Sequence, residues 1–379
     1  MRTAGHSSAT SPPPIPTGKS SRRDPFAPAR RAAAGAGRLR PVRRDALRRH
    51  RFLRAAGWSG DRHAAALRTF AEACRASLAR QTAYETSGGD AIGTRAQWGR
   101  ACAEAGQLAP SATDDAARAF FESHFVPYQV STERDPLAHI TGYYEPLLKG
   151  SLRRHDRFTT PVYGVPPDLR PGMLYYTRAE IDAGAIAGKA PVLLYVDDPV
   201  MFFFLQVQGS GQVELDNGKR VSLHYAGRNN APYRPIGAIL KARGMDTVNM
   251  GSIRDWLGAH PQEAQDIMEQ DPCYIFFRLG PGEETAKGAL GLPLVPGRSA
   301  AIDAARAAYG MPVYVAASTQ DPGTQSAQPL TRLLIAEDTG SALSGPHRID
   351  VFFGQGEDAE WQAGHQNSRG NVYWLLPKP

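Results

Sequence analysis

The residues with the most chemical potential lie near the C-terminus. The run Leu333-Leu334-Ile335-Ala336 ends in Glu337, Asp338, Thr339 and Gly340, and a second apolar run, Arg348-Ile349-Asp350-Val351-Phe352-Phe353-Gly354, carries another acid. Side chains alternate along an extended strand, so Ile349, Val351 and Phe353 share one face and Asp350 shares the other with Phe352. A carboxyl hemmed by Ile, Val and Phe has its charged form disfavoured by desolvation, which raises its pKa. That is the property a general acid needs near neutrality. The competing reading is structural: Asp350 pairs with Arg348 or accepts a turn amide, because ion pairs also perturb carboxyl groups. Asp338 likewise has two readings. It either stabilises charge or orients Asp350, or it caps the turn ahead of Thr339-Gly340.

A second polar cluster is Gln206-Val207-Gln208-Gly209-Ser210-Gly211. It lacks the third glycine of a dinucleotide loop and sits between expected strands. It reads either as a glycine-bearing bulge between strands or as a polar ledge. On the ledge reading, Gln206, Gln208, Ser210 and the bare backbone of Gly211 hydrogen-bond a neutral sugar. No GxxxxGKS/T, HExxH or GxSxG occurs, which leaves NTPase, zinc-protease and α/β-hydrolase chemistry without support. The three cysteines, Cys74, Cys102 and Cys273, are too few for a disulfide framework or a CxxC metal site. Cys74 and Cys102 fall at apolar helical positions and are expected as buried free thiols.

The elements that must position these residues are legible in outline. Asp61 is expected to cap a helix whose Leu67, Phe70, Ala71, Cys74 and Leu78 recur at helical spacing, and Thr94 and Thr113 cap two more. His124 on the third reads as a core-edge histidine. After Pro127 the period switches toward two, and strands are predicted at 138–145, 158–164, 192–197, 202–208, 211–215, 219–225, 273–279, 312–317, 332–336, 348–354 and 371–376. Asp216-Asn217-Gly218 predicts a hairpin. Helical interludes start at the capping box Thr177-Arg178-Ala179-Glu180, at Pro235 and at Ser252. Many short strands without βαβ alternation favour barrels over a parallel sheet.

Charge is unevenly distributed. Residues 1–54 hold 14 Lys or Arg against two acids, whereas 55–379 carry a net −5, so the body offers little to nucleic acid. Residues 1–50 are Pro-, Ala- and Arg-rich without apolar periodicity and read as a disordered tail. Such a tail is an address, a phosphate-binding arm, or upstream sequence wrongly read as protein, the last being favoured. No apolar stretch approaches the ~18 residues of a spanning helix, and no secretory signal is visible.

The C-terminal segment resembles the 3D domain, named for three aspartates, which match Asp303, Asp338 and Asp350. Ile140-Thr141-Gly142-Tyr143-Tyr144-Glu145-Pro146, the Gln206–Gly211 cluster and Tyr225-Ala226-Gly227 resemble a different block. In this order, from about Trp58 onward, they resemble the membrane-bound lytic murein transglycosylase A (MltA) family. The resemblance implies a mainly β enzyme with N-terminal helices. A double-psi β-barrel domain (51–146 and 273–379, the 3D motif near 301–354) would enclose a smaller inserted β-barrel domain (147–272), with a groove between them. It also implies a lyase of cell-wall turnover that cleaves the MurNAc-β-1,4-GlcNAc bond without water and leaves a 1,6-anhydromuramoyl end.

The family's single catalytic acid maps onto Asp350, with Asp338 assisting. Tyr143, Tyr144, Gln206, Gln208, Ser210 and Gly211 would contact sugar rings, although one tyrosine should face the core, since strand neighbours point to opposite sides. The role of Asp303 stays open, because Ala304-Ala305-Arg306 follows where a proline-containing turn is expected. Neither cofactor nor metal is called for. The partners implied are peptidoglycan glycan strands and other cell-wall enzymes, not nucleic acid, and the place implied is the periplasm or outer membrane. The family's lipid-attachment cysteine has no counterpart ahead of Cys74. Three alternatives stand: a hydrolase using Asp338 and Asp350 as an acid and base pair, a non-catalytic glycan-binding double-psi module, and nucleic-acid binding through the tail.

Overall fold

The computed structural model describes residues 47–52, 55–80, 92–131, 136–282, 284–340 and 343–379. The first body begins with β1 (Leu47–Arg49), then α1 (His63–Arg80), α2 (Arg95–Leu108), α3 (Asp114–His124), β2 (Phe125–Val130) and β3 (Ala138–Glu145). The chain leaves it through β4 (Leu147–Ser151), β5 (Thr160–Tyr163), α4 (Arg178–Asp182), β6 (Val192–Val196), α5 (Pro199–Gln208) and β7 (Gly211–Leu215). It continues through β8 (Arg220–Arg228), α6 (Ile236–Ala242), α7 (Met250–Ala259), α8 (Pro261–Glu269) and β9 (Ile275–Pro281). It returns with β10 (Ser299–Ile302), β11 (Pro312–Gln320), β12 (Ala327–Asp338), β13 (Arg348–Gln355), α9 (Glu357–His365) and β14 (Asn367–Pro377).

In the first body β14, β11, β12, β10, β13 and β3 pair in that order, and β3 pairs back onto β14, closing a six-stranded barrel. Two of its pairings, β10 with β12 and β13 with β3, are parallel. The helical group closes one side: Leu67, Phe70, Trp98 and Phe121 share a core with Tyr314, Val315 and Trp374 of the barrel. Thr94 and Thr113 cap their helices as expected. Asp61 does not cap α1. Its carboxylate takes both Arg298 guanidinium nitrogens (2.7 and 2.9 Å) and the Leu333 amide (2.6 Å), tying the helical group to β12.

The second body is a sheet in the order β5-β6-β4-β7-β8-β9, brought round on itself by a bridge between Gly164 and Phe277. Because β9 pairs with β8, this inserted body extends past the expected boundary at 272. The Asp216–Gly218 hairpin forms, with Gly218 at φ 76°. Thr177 caps α4 in a capping box, and α7 starts two residues ahead of Ser252, which is its third residue and is capped by Asn249.

Three further sequence expectations are corrected. The segment 202–208 is helix, not strand: α5 is apolar all round because Phe202 and Leu205 enter the sheet core while Phe203 and Phe204 pack on α6–α8. An alternating or amphipathic pattern cannot appear on an element buried on two sides. Cys74 and Cys102 are not free thiols but a disulfide joining α1 to α2. Leu47–Arg49, assigned to the tail, form an edge strand on β2 with Leu47 only 6% exposed. The remainder of the tail lies outside the described residues.

Two outcomes are expected from these contacts. A disulfide closing a loop of 28 residues is worth about 3 kcal/mol. The double variant Cys74→Ala/Cys102→Ala should therefore unfold at correspondingly lower denaturant, read by circular dichroism. A chain starting at residue 51 should melt lower than one starting at 47, because β1 is lost.

Candidate active site

The carboxylates sit on the barrel wall because three strands place them there. β10 runs between β12 and β13, and Ala301 is the register partner of both Asp338 and Asp350. The two aspartates are thus two strand spacings apart, roughly 10 Å between Cα atoms, with the small Ala301 between them as floor. On the far side of β13, β3 sets Thr141 beside Asp350 and Tyr143 beside Phe352.

The predicted facing of β13 holds. Ile349 and Val351 lie in the main core, while Phe352 packs with Ala286, Leu294 and Tyr143 in a small apolar wall next to Asp350. The Asp350 side chain is 21% exposed and lies 3.6 Å from Arg348. Burial pushes its pKa up to about 6, helped by Asp338 and opposed by the Arg348 cation. Burial and the ion pair therefore act on Asp350 together. The arginine pairs with it, yet desolvation wins.

Asp338 is also pushed up to about 6 by burial, against the Thr339 amide, Tyr143 and the Ala289 amide; the last donates to its Oδ1 at 3.1 Å. Its turn-capping role is thus real. Tyr143 feels both aspartates, and burial with Asp338 drives its hydroxyl pKa well up. Glu337, on the opposite face, is 1% exposed, accepts from the Ser299 hydroxyl and is pushed up to about 8 by burial.

The remaining predicted residues separate into two groups. Tyr144 is the core tyrosine, 2% exposed. Gln206 is 3% exposed and fully engaged inside the inserted body, accepting from Arg178 Nη1 (2.5 Å) and donating to the Ile275 carbonyl (3.2 Å). It is corrected from sugar ligand to internal brace. Gln208 accepts from the Tyr144 amide at 3.1 Å and so joins α5 to β3. The glycine-rich stretch is not a bulge between strands. Gly209 ends α5 at φ 87°, and a Cβ on Gly211 would lie 2.4 Å from Leu205 Cδ1 and 3.0 Å from the Pro146 carbonyl. Ser210 is half-buried at this corner. Asp303 accepts from the Ala305 and Gly345 amides (2.9 and 2.8 Å), holding the loop ahead of β13.

Closest to Asp350 stand Arg348, the partner named in the structural reading, and Thr141, to which the sequence reading gave no role: the Thr141 hydroxyl donates to Oδ1, and Arg348 donates to Thr141 at 3.1 Å. Tyr233 of the inserted body also feels Asp350 and Arg348. Thr141 sat in plain view, at the alternating position before Tyr143. Nothing local marks Tyr233.

A closed barrel with two aspartates on one floor and a β-domain inserted after β3 defines a 3D-type barrel protein with an insertion. Residues 139–278 match the MltA specific insert domain and residues 298–376 match the 3D domain. The membrane-bound lytic murein transglycosylase A of Escherichia coli K12 is 34% identical over 245 residues, 63% of this chain and 66% of that protein. A crystal structure of MltA from Neisseria gonorrhoeae is 32% identical with a TM-score of 0.70, over 87% of this chain and 92% of that one. E. coli MltA with bound chitohexaose is 28% identical with a TM-score of 0.66, over 82% and 90%. The chain belongs to the MltA family.

The raised carboxyls carry a sign that stability measurements can read. A folded-state pKa near 6 for Asp350, above the ordinary carboxylate value, means stability is lost as pH rises toward 6 and stays lost above it. Asp350→Asn removes that penalty. Its melting temperature at pH 7.5 should equal or exceed wild type, and the gain should vanish near pH 4.

Proposed function

We propose that this chain is a peptidoglycan lytic transglycosylase with Asp350 as its only acid and base. The observation that carries the reading is a half-buried carboxyl, pushed up to about 6, facing an apolar wall at the position matching the last 3D aspartate. Protonated Asp350 donates to the glycosidic oxygen between MurNAc and GlcNAc as positive charge builds at the muramoyl C1. The carboxylate so formed takes the proton of the same sugar's C6 hydroxyl, whose oxygen closes onto C1. The C1–O bond to GlcNAc breaks, the C1–O6 bond forms, and Asp350 ends as it began. Closure is intramolecular, which favours it over attack by water.

Asp338 supports the reaction electrostatically, and Tyr143 and Ser210 are proposed to contact the glycan. That E. coli MltA is known with chitohexaose bound supports a glycan ligand here. The Cys74–Cys102 disulfide suits an oxidising compartment, and we place the enzyme in the periplasm or at the outer membrane. Among the described residues no helix is long and apolar enough to cross a membrane.

Purified sacculi provide the test. Wild type should release fragments with 1,6-anhydromuramoyl ends, identified by mass, and its rate should fall as pH rises through about 6, where the acid loses its proton. Asp350→Asn should be slower by ~10²–10⁴-fold with sacculus binding retained. Reducing ends in place of anhydro ends would establish the hydrolase instead.

A further inference from the structure

The polar row holding Asp350 continues past the two aspartates. Parallel pairing sets Arg348 beside His139 and Asp350 beside Thr141, and β14 sets Asn367 on the other side of Thr141. The hydrogen bonds among these side chains have only one possible direction. A guanidinium donates and cannot accept, so the contact of Arg348 Nη1 with His139 Nδ1 makes Nδ1 the acceptor. Nε2 of His139 then faces Asn367 Oδ1 at 2.6 Å, where it donates. Arg348 Nη2 donates to Thr141 Oγ1 at 3.1 Å. Thr141 therefore receives from the arginine, and its own hydrogen goes to Asp350 Oδ1.

We propose that Thr141, held by Arg348 with His139 behind it, is a positioning residue that reserves Oδ1 of Asp350 for the protein and leaves Oδ2 to exchange the proton with substrate. The proposal rests on Asp350 being the catalytic acid. A carboxyl that acts twice must present the same oxygen in the same place both times, first to the glycosidic oxygen and then to the C6 hydroxyl. Rotation about its terminal bond is soft for an unrestrained aspartate. An acceptor bond made at Oδ1 in both protonation states removes that freedom. Among the described residues, the charged and titratable groups that act on Asp350 are Arg348 on its own strand, Asp338 on β12, Tyr143 on β3 and Tyr233 from the inserted body. Of these strands' polar groups, only Thr141 is both uncharged and hydrogen-bonded to the carboxylate.

Turnover by the full chain on purified glycan strands, followed across pH, tests the idea. Thr141→Val, nearly the same shape, should lower kcat by about 10–100-fold and leave KM within about twofold. The descending limb of the pH profile should move up by about half a pH unit, because the charged form of Asp350 has lost a donor. Thr141→Ser, which keeps the hydroxyl, should restore both the rate and the limb. A merely structural threonine would lower the melting temperature without moving the limb. The proposal is overturned by a Thr141→Val enzyme within twofold of wild type, by a limb that stays in place, or by a Thr141→Ser enzyme as slow as Thr141→Val. If Thr141→Val does not fold, Thr141→Ala takes its place against Thr141→Ser with the same criteria. An active Asp350→Asn overturns both this proposal and the function above it. An inactive Asp350→Asn beside a wild-type-like Thr141→Val overturns the positioning role alone.

Discussion

Strand β3 lies parallel to β13, and this pairing brings Thr141 to Asp350 across 209 positions of sequence. The register has to be right to the residue. A slip of one would put Ile140 or Gly142 opposite Asp350 and turn the facing side chain to the other side of the wall. Burial fixes it: Ile140, Ile349 and Val351 enter one core. Gly142, the partner of Val351, fixes it further. A Cβ there would lie 2.5 Å from the Phe353 ring and 3.0 Å from Ala363 Cα, so α9 can lie on β3 only because that position is bare. The inserted body leaves the barrel at the end of β3, where Gln355 of β13 holds Glu145 and Gln208 of α5 accepts from the Tyr144 amide. The same strand that carries Thr141 thus also seats the insertion.

Once the register is set, the wall decides the charges. At Asp350, Asp338 and Glu337 burial is the largest influence, and in each it outweighs the hydrogen bonds and cation that oppose it. The ion pair of Asp61 with Arg298 solves the same problem differently, by matching a buried carboxylate with a bidentate guanidinium and a backbone amide. Removing one partner of such a pair leaves a buried charge and costs several kcal/mol. One arrangement anchors the helical group to β12. The other keeps carboxyls able to gain and lose a proton near neutrality.

Local signals were enough for much of this. The threonine caps of α2, α3 and α4, the hairpin at Asp216–Gly218 and the two faces of β13 all follow from neighbours a few residues apart. What escaped depends on distant contacts. α5 carried its own boundaries in Asp198, Pro199 and Gly209, but its apolar interior reads equally as a buried strand. The Cys74–Cys102 bond needs two helices to meet, and β1 exists only because β2 offers an edge. Gln206 looked like a ligand because a buried Arg178 cannot be inferred from the residues around Gln206. The family resemblance gave Asp350 its role, while Thr141 acquired one only when β3 was laid against β13.

The two aspartates also bear on which reaction the site performs. An acid and base pair works by environments that push two pKa values apart, so that one group is protonated while the other is charged. Here burial is the largest influence on both Asp338 and Asp350 and lifts each to about 6. Their partners differ. Asp338 is bound by the Ala289 and Thr339 amides and by the Tyr143 hydroxyl. Asp350 has one oxygen on a side-chain hydroxyl, with an arginine at 3.6 Å. On the proposed mechanism, that cation would steady the carboxylate formed after the first proton transfer, and desolvation would keep it basic enough to take the second proton. On the mechanism proposed above, a single group poised between its two charge states serves a reaction that needs a proton given and then taken, with Asp338 in a supporting place.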